Sequence, residues 1–295
     1  MRDVRRVLVV GSGLMGSGIA QVAAQSGFDV DLVDTSDAAL AAADARIADS
    51  MTRLVRSGKL TDDDAVSARA RLELGVDLDT AARRADLVVE AIIEDLVPKQ
   101  ELFERLGTLC PEDVVLGTNT SQFRIESVGA RCLHPDRVIG MHWSNPPPLM
   151  MLVEIILAPD TSPATLEATQ RYLDANNRQF VVCRKDVPGF ISNRMSTALF
   201  MEAARLVDEE IATPAEIDAV ARLMYGHKMG PIATLDLAGL DTALKVATAL
   251  TDHYGGDRFE PPAILAKLVA DGRYGQKSGG GFYAALQPDG EGSRS

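Results

Sequence analysis

Strand-like and helix-like segments alternate along the first part of this chain, and that alternation constrains the fold more than any other feature. Val7–Val10 is a short apolar strand, Leu14–Gln25 has helical periodicity, and Asp29–Val33 is a second strand followed by an Ala-rich helix from about Asp37 to Arg56. Apolar runs suited to buried strands recur at Leu87–Val89, Val114–Leu116, Val138–Met141 and Leu152–Ile156, with helical stretches such as Lys99–Leu109 between them. This pattern implies βαβ units on a parallel sheet covered by helices. After Val181–Cys183 the pattern changes to helical periodicity only, in Phe190–Glu210, Pro214–Tyr225, Leu240–Tyr254 and Ala263–Ala270. Pro188 and Gly189 punctuate the change, and Pro188 suits the first turn of a helix. The expectation is a doubly wound α/β domain over residues 1–186 and an all-helical domain over 187–295, with a disordered tail from about 287.

Composition narrows the classes further. A net charge of −12 argues against nucleic acid, which needs clustered Lys and Arg. Cys110, Cys132 and Cys183 show neither metal spacing nor a disulfide framework, so reduced buried thiols and no metal are expected. An apolar strand follows residues 1–4 at once, and no apolar run approaches the ~20 residues that span a bilayer. A cytoplasmic protein without membrane attachment is the plain expectation.

Gly11-Ser12-Gly13-Leu14-Met15-Gly16 follows a strand and opens a helix. In that context Gly11 permits a tight turn, Gly13 lets the backbone approach a pyrophosphate and Gly16 lets helix pack on strand. The helix N-terminus offers unpaired N–H groups and a positive dipole end to phosphates. Asp34 ends the second strand about 20 residues on, where a carboxylate accepts from ribose hydroxyls and repels a 2′-phosphate. No Arg follows it directly, so NAD is favoured over NADP. The bland alternative is a Gly-rich turn without a ligand.

Oxidation at a hydroxyl carbon needs a base to take the hydroxyl proton while NAD takes the hydride, and His is the usual base. Of His134, His142, His227 and His253, only His142 directly follows an apolar strand, at the carboxyl end where such sheets meet ligands. Glu154 lies inside Leu152–Ile156, where an unpaired carboxylate is costly to bury. Pairing with His142 would explain it, in the orienting role of a triad acid. The pattern alone leaves open that the two are unrelated polar groups, one at a loop and one at a strand edge.

The sequence resembles the L-3-hydroxyacyl-CoA dehydrogenases. The matching motifs are Gly11–Gly16, Val89-Glu90-Ala91, Asn119-Thr120-Ser121, Gly140–Pro146, Leu152–Ile155, Pro188-Gly189-Phe190, Gly230-Pro231, Asp236, Gly239-Leu240-Asp241 and Gly275–Tyr283, which cover nearly the whole chain in order. The resemblance implies a Rossmann domain with a helical dimerisation domain and NAD as cofactor. It implies His142 as general base, Glu154 as its orienting acid, and Ser121 and Asn193 as residues holding the substrate oxygens. Glu90, Ser121, Asn145 and Lys277 match nicotinamide-half contacts. Ser50 and Lys59, on a helical segment made locally basic by Arg53 and Arg56, match positions that meet CoA.

Four positions depart from the family pattern. Trp143-Ser144 replaces two Phe, Gln122 replaces a Ser, and Met151 replaces a Lys, all bordering the family's acyl pocket. The chemistry is unaffected, but the substrate is left open. A CoA thioester leads, with an acyl carrier protein substrate or a free hydroxy acid as alternatives. A silent NAD-binding protein is a further alternative, against which the joint presence of His142, Glu154, Ser121 and Asn193 counts. A homodimer through the helical domain is expected.

Overall fold

The computed structural model describes residues 1 and 3–283; the expected disordered tail from about 287 lies outside them. The chain divides into two units, Met1–Phe190 and Ile191–Ser295.

The first unit begins with β1 (Arg6–Val10), α1 (Leu14–Gln25), β2 (Asp29–Val33), α2 (Asp37–Arg56), α3 (Asp62–Ala70), β3 (Leu72–Gly75), α4 (Leu78–Arg84) and β4 (Leu87–Glu90). It continues with α5 (Leu96–Leu109), β5 (Val115–Thr118), the single turn α6 (Ile125–Val128), β6 (Val138–Trp143), β7 (Leu152–Ile156), α7 (Pro163–Ala175) and β8 (Gln179–Cys183). The strands form one sheet in the order β3-β2-β1-β4-β5-β6-β7-β8. The order reverses after β1, which makes the carboxyl ends of β1 and β4 a switch point where ligands bind such sheets.

An all-parallel sheet is what the alternation predicts, and β7 departs from it. It runs antiparallel to β6, because the connection spans only residues 144–151. A parallel return needs a crossover of about a dozen residues or more. The α7 crossover then lets β8 lie parallel to β7. The four-residue edge strand β3, only one residue of which is buried, carries too weak an alternation to be read from sequence.

Strands β4 and β5 are buried throughout and β1 from Val7 onward, as parallel strands covered on both faces should be. Val7, Val9, Ile19, Val30, Leu87 and Ile139 belong to the core that joins sheet and helices. Helix α1 can lie close on β1 because of two glycines. Gly11 has φ +99°, a conformation natural to glycine. A Cβ on Gly16 would stand 1.8 Å from the Gly11 carbonyl oxygen.

The second unit contains α8 (Ser192–Asp208), α9 (Pro214–Tyr225), α10 (Pro231–Ala238), α11 (Leu240–Tyr254) and α12 (Ala263–Ala270). Helix α8 starts at Ser192, not at Pro188 as Pro alone suggests. Gly189 (φ 77°) and Phe190 (φ 46°) hold the chain in left-handed backbone that interrupts a helix there. Thr213 and Glu216 form a capping box at α9, and Gly226 ends that helix with φ 72°. Met201, Ala204, Ile232, Leu235, Leu240 and Leu265 form the core. Buried Asp218 accepts from the N–H groups of Ile232 and Ala233 and from the Tyr283 hydroxyl at 2.7–2.9 Å. Asp236 accepts from Phe282 and Tyr283 N–H, both at 2.9 Å. The terminal Gly-Gly-Gly-Phe-Tyr motif is thereby fastened to α9 and α10.

Gly16→Ala should force β1 and α1 apart, costing about 3 kcal/mol or more and lowering the thermal midpoint by about 5–10 °C. Gly13→Ala is the control, since its Cβ would meet nothing within 4 Å. It should leave the midpoint in place while weakening dinucleotide binding, as read by calorimetric titration.

Candidate active site

The sheet register assembles the site. Val10, Glu90, Thr118 and Gly140 are consecutive partners across β1, β4, β5 and β6, so the residues just beyond them emerge at one edge of the sheet. Beyond Val10 lies the glycine loop, beyond Glu90 Ala91–Glu94, beyond Thr118 Asn119–Ser121, and beyond Gly140 His142.

A cavity of about 1080 Å³ opens over the glycine loop and is lined by Gly11, Gly13, Leu14 and Met15, by Asp34, and by Ile92 and Ile93, among others. Gly13 is the N-cap of α1, and nothing fills the space a side chain would take there. Unpaired N–H groups at the helix start therefore face an open volume suited to a diphosphate. Asp34 accepts from the Ser12 N–H at 2.7 Å and the Ser12 hydroxyl at 2.8 Å. Burial pushes the Asp34 carboxyl up, but these bonds and those from the N–H groups of Thr35 and Ser36 outweigh it and hold the group below its ordinary range. Its negative charge on the cavity wall is thus secured at neutral pH. Arg46, from α2, also lines this cavity and donates to the Ser12 carbonyl at 2.6 Å.

Glu90 is fully buried, and both of its oxygens are engaged. Oε1 accepts from the Ile92 N–H at 2.8 Å and from Lys99 Nζ at 2.5 Å, and Oε2 accepts from the Thr118 hydroxyl at 2.5 Å. Lys99, 1% exposed, also lies 3.2 Å from Glu94. Burial raises the Glu90 carboxyl despite Lys99 and Thr118. Glu94 in turn accepts from the Thr120 hydroxyl and from the N–H groups of Ser121 (3.0 Å) and Gln122 (3.1 Å). The loop carrying Ser121 is therefore held from below through Lys99.

His142 Nδ1 lies 2.8 Å from Glu154 Oε2. The two residues are direct cross-strand partners in the β6–β7 ladder, so the antiparallel turn that departs from the expected topology is what pairs them. Glu154 is 3% and His142 15% exposed, which leaves the imidazole reachable and its partner dry. Phe190 sets its ring edge-on to the imidazole at 5.7 Å. The neighbouring strand residue Trp143 points the other way, as strand alternation requires, and its ring is buried in the core. Its side chain therefore does not border an acyl pocket as the resemblance implies. Its backbone N–H donates to Asn119 Oδ1 at 2.9 Å, tying β6 to the Ser121 loop. Met151 is half exposed, with its sulfur 3.0 Å from Arg178.

Of the remaining candidates, Asn145 is exposed in the loop after β6, Ser50 is half-buried on α2, and Lys59 is exposed just past α2, between Gly58 (φ 68°) and α3. Asn193 and Lys277 belong to the second unit. There Asn193 occupies the first turn of α8, and Lys277 pairs with Asp241 at 2.6 Å. Sequence reasoning missed Lys99, Glu94 and Arg46. A lysine or arginine on an amphipathic helix reads as a solvated charge, and only the fold turns Lys99 inward. The described residues contain no group of three or more metal-ligating side chains, and no helix among them is long and apolar enough to cross a membrane.

Comparison with known proteins accords with this geometry. Residues 6–187 match the family model of the 3-hydroxyacyl-CoA dehydrogenase NAD binding domain, and residues 189–285 match that of the C-terminal domain. A probable 3-hydroxybutyryl-CoA dehydrogenase of Bacillus subtilis is 38% identical over 281 residues, covering 95% of this chain and 97% of its own. The solved (S)-3-hydroxybutyryl-CoA dehydrogenase of Ralstonia eutropha superposes with a TM-score of 0.92 at 35% identity, over 97% of this chain and 100% of its own. A diketoreductase described as acting on dicarbonyl compounds superposes with a TM-score of 0.84 at 27% identity, over 96% and 100% of the two chains. From the glycine loop to the terminal Phe-Tyr, the chain belongs to the 3-hydroxyacyl-CoA dehydrogenase family, oxidoreductases whose N-terminal domain binds NAD.

Proposed function

We propose that the chain interconverts the 3-hydroxyl and 3-ketone of a 3-hydroxyacyl-CoA, with His142 as the acid–base group. The observation that carries the reading is the 2.8 Å contact between His142 Nδ1 and buried Glu154. A carboxylate acceptor fixes the proton on Nδ1 and leaves Nε2 as the basic nitrogen. In the oxidative direction Nε2 takes the hydroxyl proton, and Glu154 stabilises the imidazolium that results. NAD supplies the hydride acceptor. Ser121 holds the substrate oxygen, on a loop kept in place by Glu94 and Lys99. Glu90, with no surface to offer a ligand, works as a positioning residue through Lys99. The parts assigned to Asn145, Asn193 and Lys277 rest on the family resemblance.

His142→Gln should lower kcat by roughly 10²–10⁴-fold with NADH affinity nearly intact, measured by the change in NADH absorbance. Glu154→Gln acts through the same interaction, so the double variant should fall far less than the product of the two. Full turnover in His142→Gln would remove the imidazole from the mechanism.

For the carrier, Lys59 is the proposed contact to CoA phosphates, beside Ser50 and aided by Arg53 or Arg56, all three cations being exposed. Remote binding energy of this kind can position the reacting end of a substrate. A short pantetheine thioester should then turn over much less efficiently than the CoA ester, and Lys59→Ala should erase most of the difference. Equal rates for the two thioesters with strong preference for an acyl carrier protein conjugate would replace CoA by the carrier protein. Turnover of the free hydroxy acid alone would bring the chain closer to the diketoreductase.

Association as a homodimer through the second unit is supported by its exposed apolar side chains. Leu223 is 86%, Met224 75% and Ile211 63% exposed, a density that marks interaction surfaces. Sedimentation should give a dimer for the wild-type chain and a shift toward monomer for Leu223→Asp.

A further inference from the structure

Ser12 has no exposed surface and sits between two opposite charges. Its N–H and hydroxyl donate to Oδ2 of Asp34 at 2.7 and 2.8 Å, and its carbonyl accepts from Nη2 of Arg46 at 2.6 Å. The Arg46 Nε also lies 3.5 Å from the Ser17 hydroxyl. Ala39, Ala42 and Arg46 all line the dinucleotide cavity, and their spacing puts them on one face of α2. The two small alanines leave the volume beside the guanidinium open. No arginine directly follows Asp34 in sequence; the helix brings one to the same serine from further along the chain.

We propose that Arg46 is a specificity-determining residue, which with Asp34 sets the preference between NAD(H) and its 2′-phosphorylated form. A carboxylate at the ribose end repels a 2′-phosphate, and a guanidinium attracts it; both here bracket one residue, Ser12. The potential a phosphate meets is their sum, and at such separations each charge contributes measurably unless salt screens it. Asp34 is the first obstacle to NADP(H), and Arg46 is a phosphate receptor whose effect Asp34 offsets. Discrimination against NADPH is accordingly smaller than Asp34 alone would impose. The inference rests on the cofactor site and on nothing assigned to His142, and binding is measured without turnover.

The test is the ratio of NADPH to NADH dissociation constants, read by fluorescence titration of the full-length protein at low and at high salt. Arg46→Gln should weaken NADPH relative to NADH by roughly 3- to 30-fold, with a smaller shift at high salt, and Arg46→Lys should keep the wild-type ratio. Asp34→Asn should move the ratio toward NADPH, and adding Arg46→Gln should take most of that gain away. If Arg46 only clamps the loop, Arg46→Gln will weaken both nucleotides by one factor and leave the ratio unmoved, which overturns the proposal. So would a gain for NADPH in Asp34→Asn that survives loss of Arg46. Should the Asp34 variant fail to fold, the Arg46→Gln and Arg46→Lys pair still decides.

Discussion

A lysine with 1% of its side chain exposed has given up its water and needs carboxylates in its place, and Lys99 is met by two. Glu90 closes β4, and Glu94 stands at the start of the segment leading into α5. One buried cation therefore ties the end of a central strand to the loop that carries Ser121. Breaking such a pair by removing one partner is strongly destabilising, on the order of 3–5 kcal/mol, because a buried charge is left alone. Replacing the whole group by apolar side chains would cost the fold little by the same reasoning. It would, however, leave the N–H groups of Ser121 and Gln122 without their acceptor. The network is best understood as a device for placing a loop, with stability a secondary result.

Two further pairings depend on that frame. Thr118 joins Glu90 to β5, and Asn119 reaches on to the N–H of Trp143 in β6. The imidazole and the serine loop are thus positioned by neighbouring strands and by one side-chain bridge, without any flexible element between them. Sites built on strands in register are held more tightly than sites on free loops. The antiparallel return of β7 completes this arrangement by setting Glu154 directly opposite His142.

Much of this was readable from the residues. Strand-turn-helix order and the three glycines mark the nucleotide loop: Gly11 and Gly16 answer steric requirements that Cβ distances of 2.5 Å and 1.8 Å express directly, and Gly13 leaves the space beside it open. An acidic residue inside Leu152–Ile156 signalled a buried partner, but its identity came from cross-strand register, which sequence does not print. The antiparallel β7 was in principle visible in the short connection before it. Edge strand β3 and the one-turn α6 were too brief to produce periodicity. Lys99 and Arg46 look like any solvent-facing charge on an amphipathic helix, and only tertiary packing distinguishes them.

Trp143 shows where resemblance misleads and geometry corrects it. Substituting a larger aromatic beside His142 suggests a reshaped acyl pocket, yet adjacent strand residues face opposite sides of a sheet. With His142 turned toward Glu154, Trp143 has to enter the core, where it is 2% exposed. Its bulk is accommodated among Val153, Ile155 and the other side chains of that layer. The side chains this unit leaves open to a ligand beside His142 are those on its own face of the sheet and in the loop after β6. Leu149, Met150 and Met151 lie in that loop and Leu152 opens β7; each is 38–54% exposed. This apolar run is directly linked in sequence to both His142 and Glu154, so on the proposed reading it is the surface on which an acyl chain would lie.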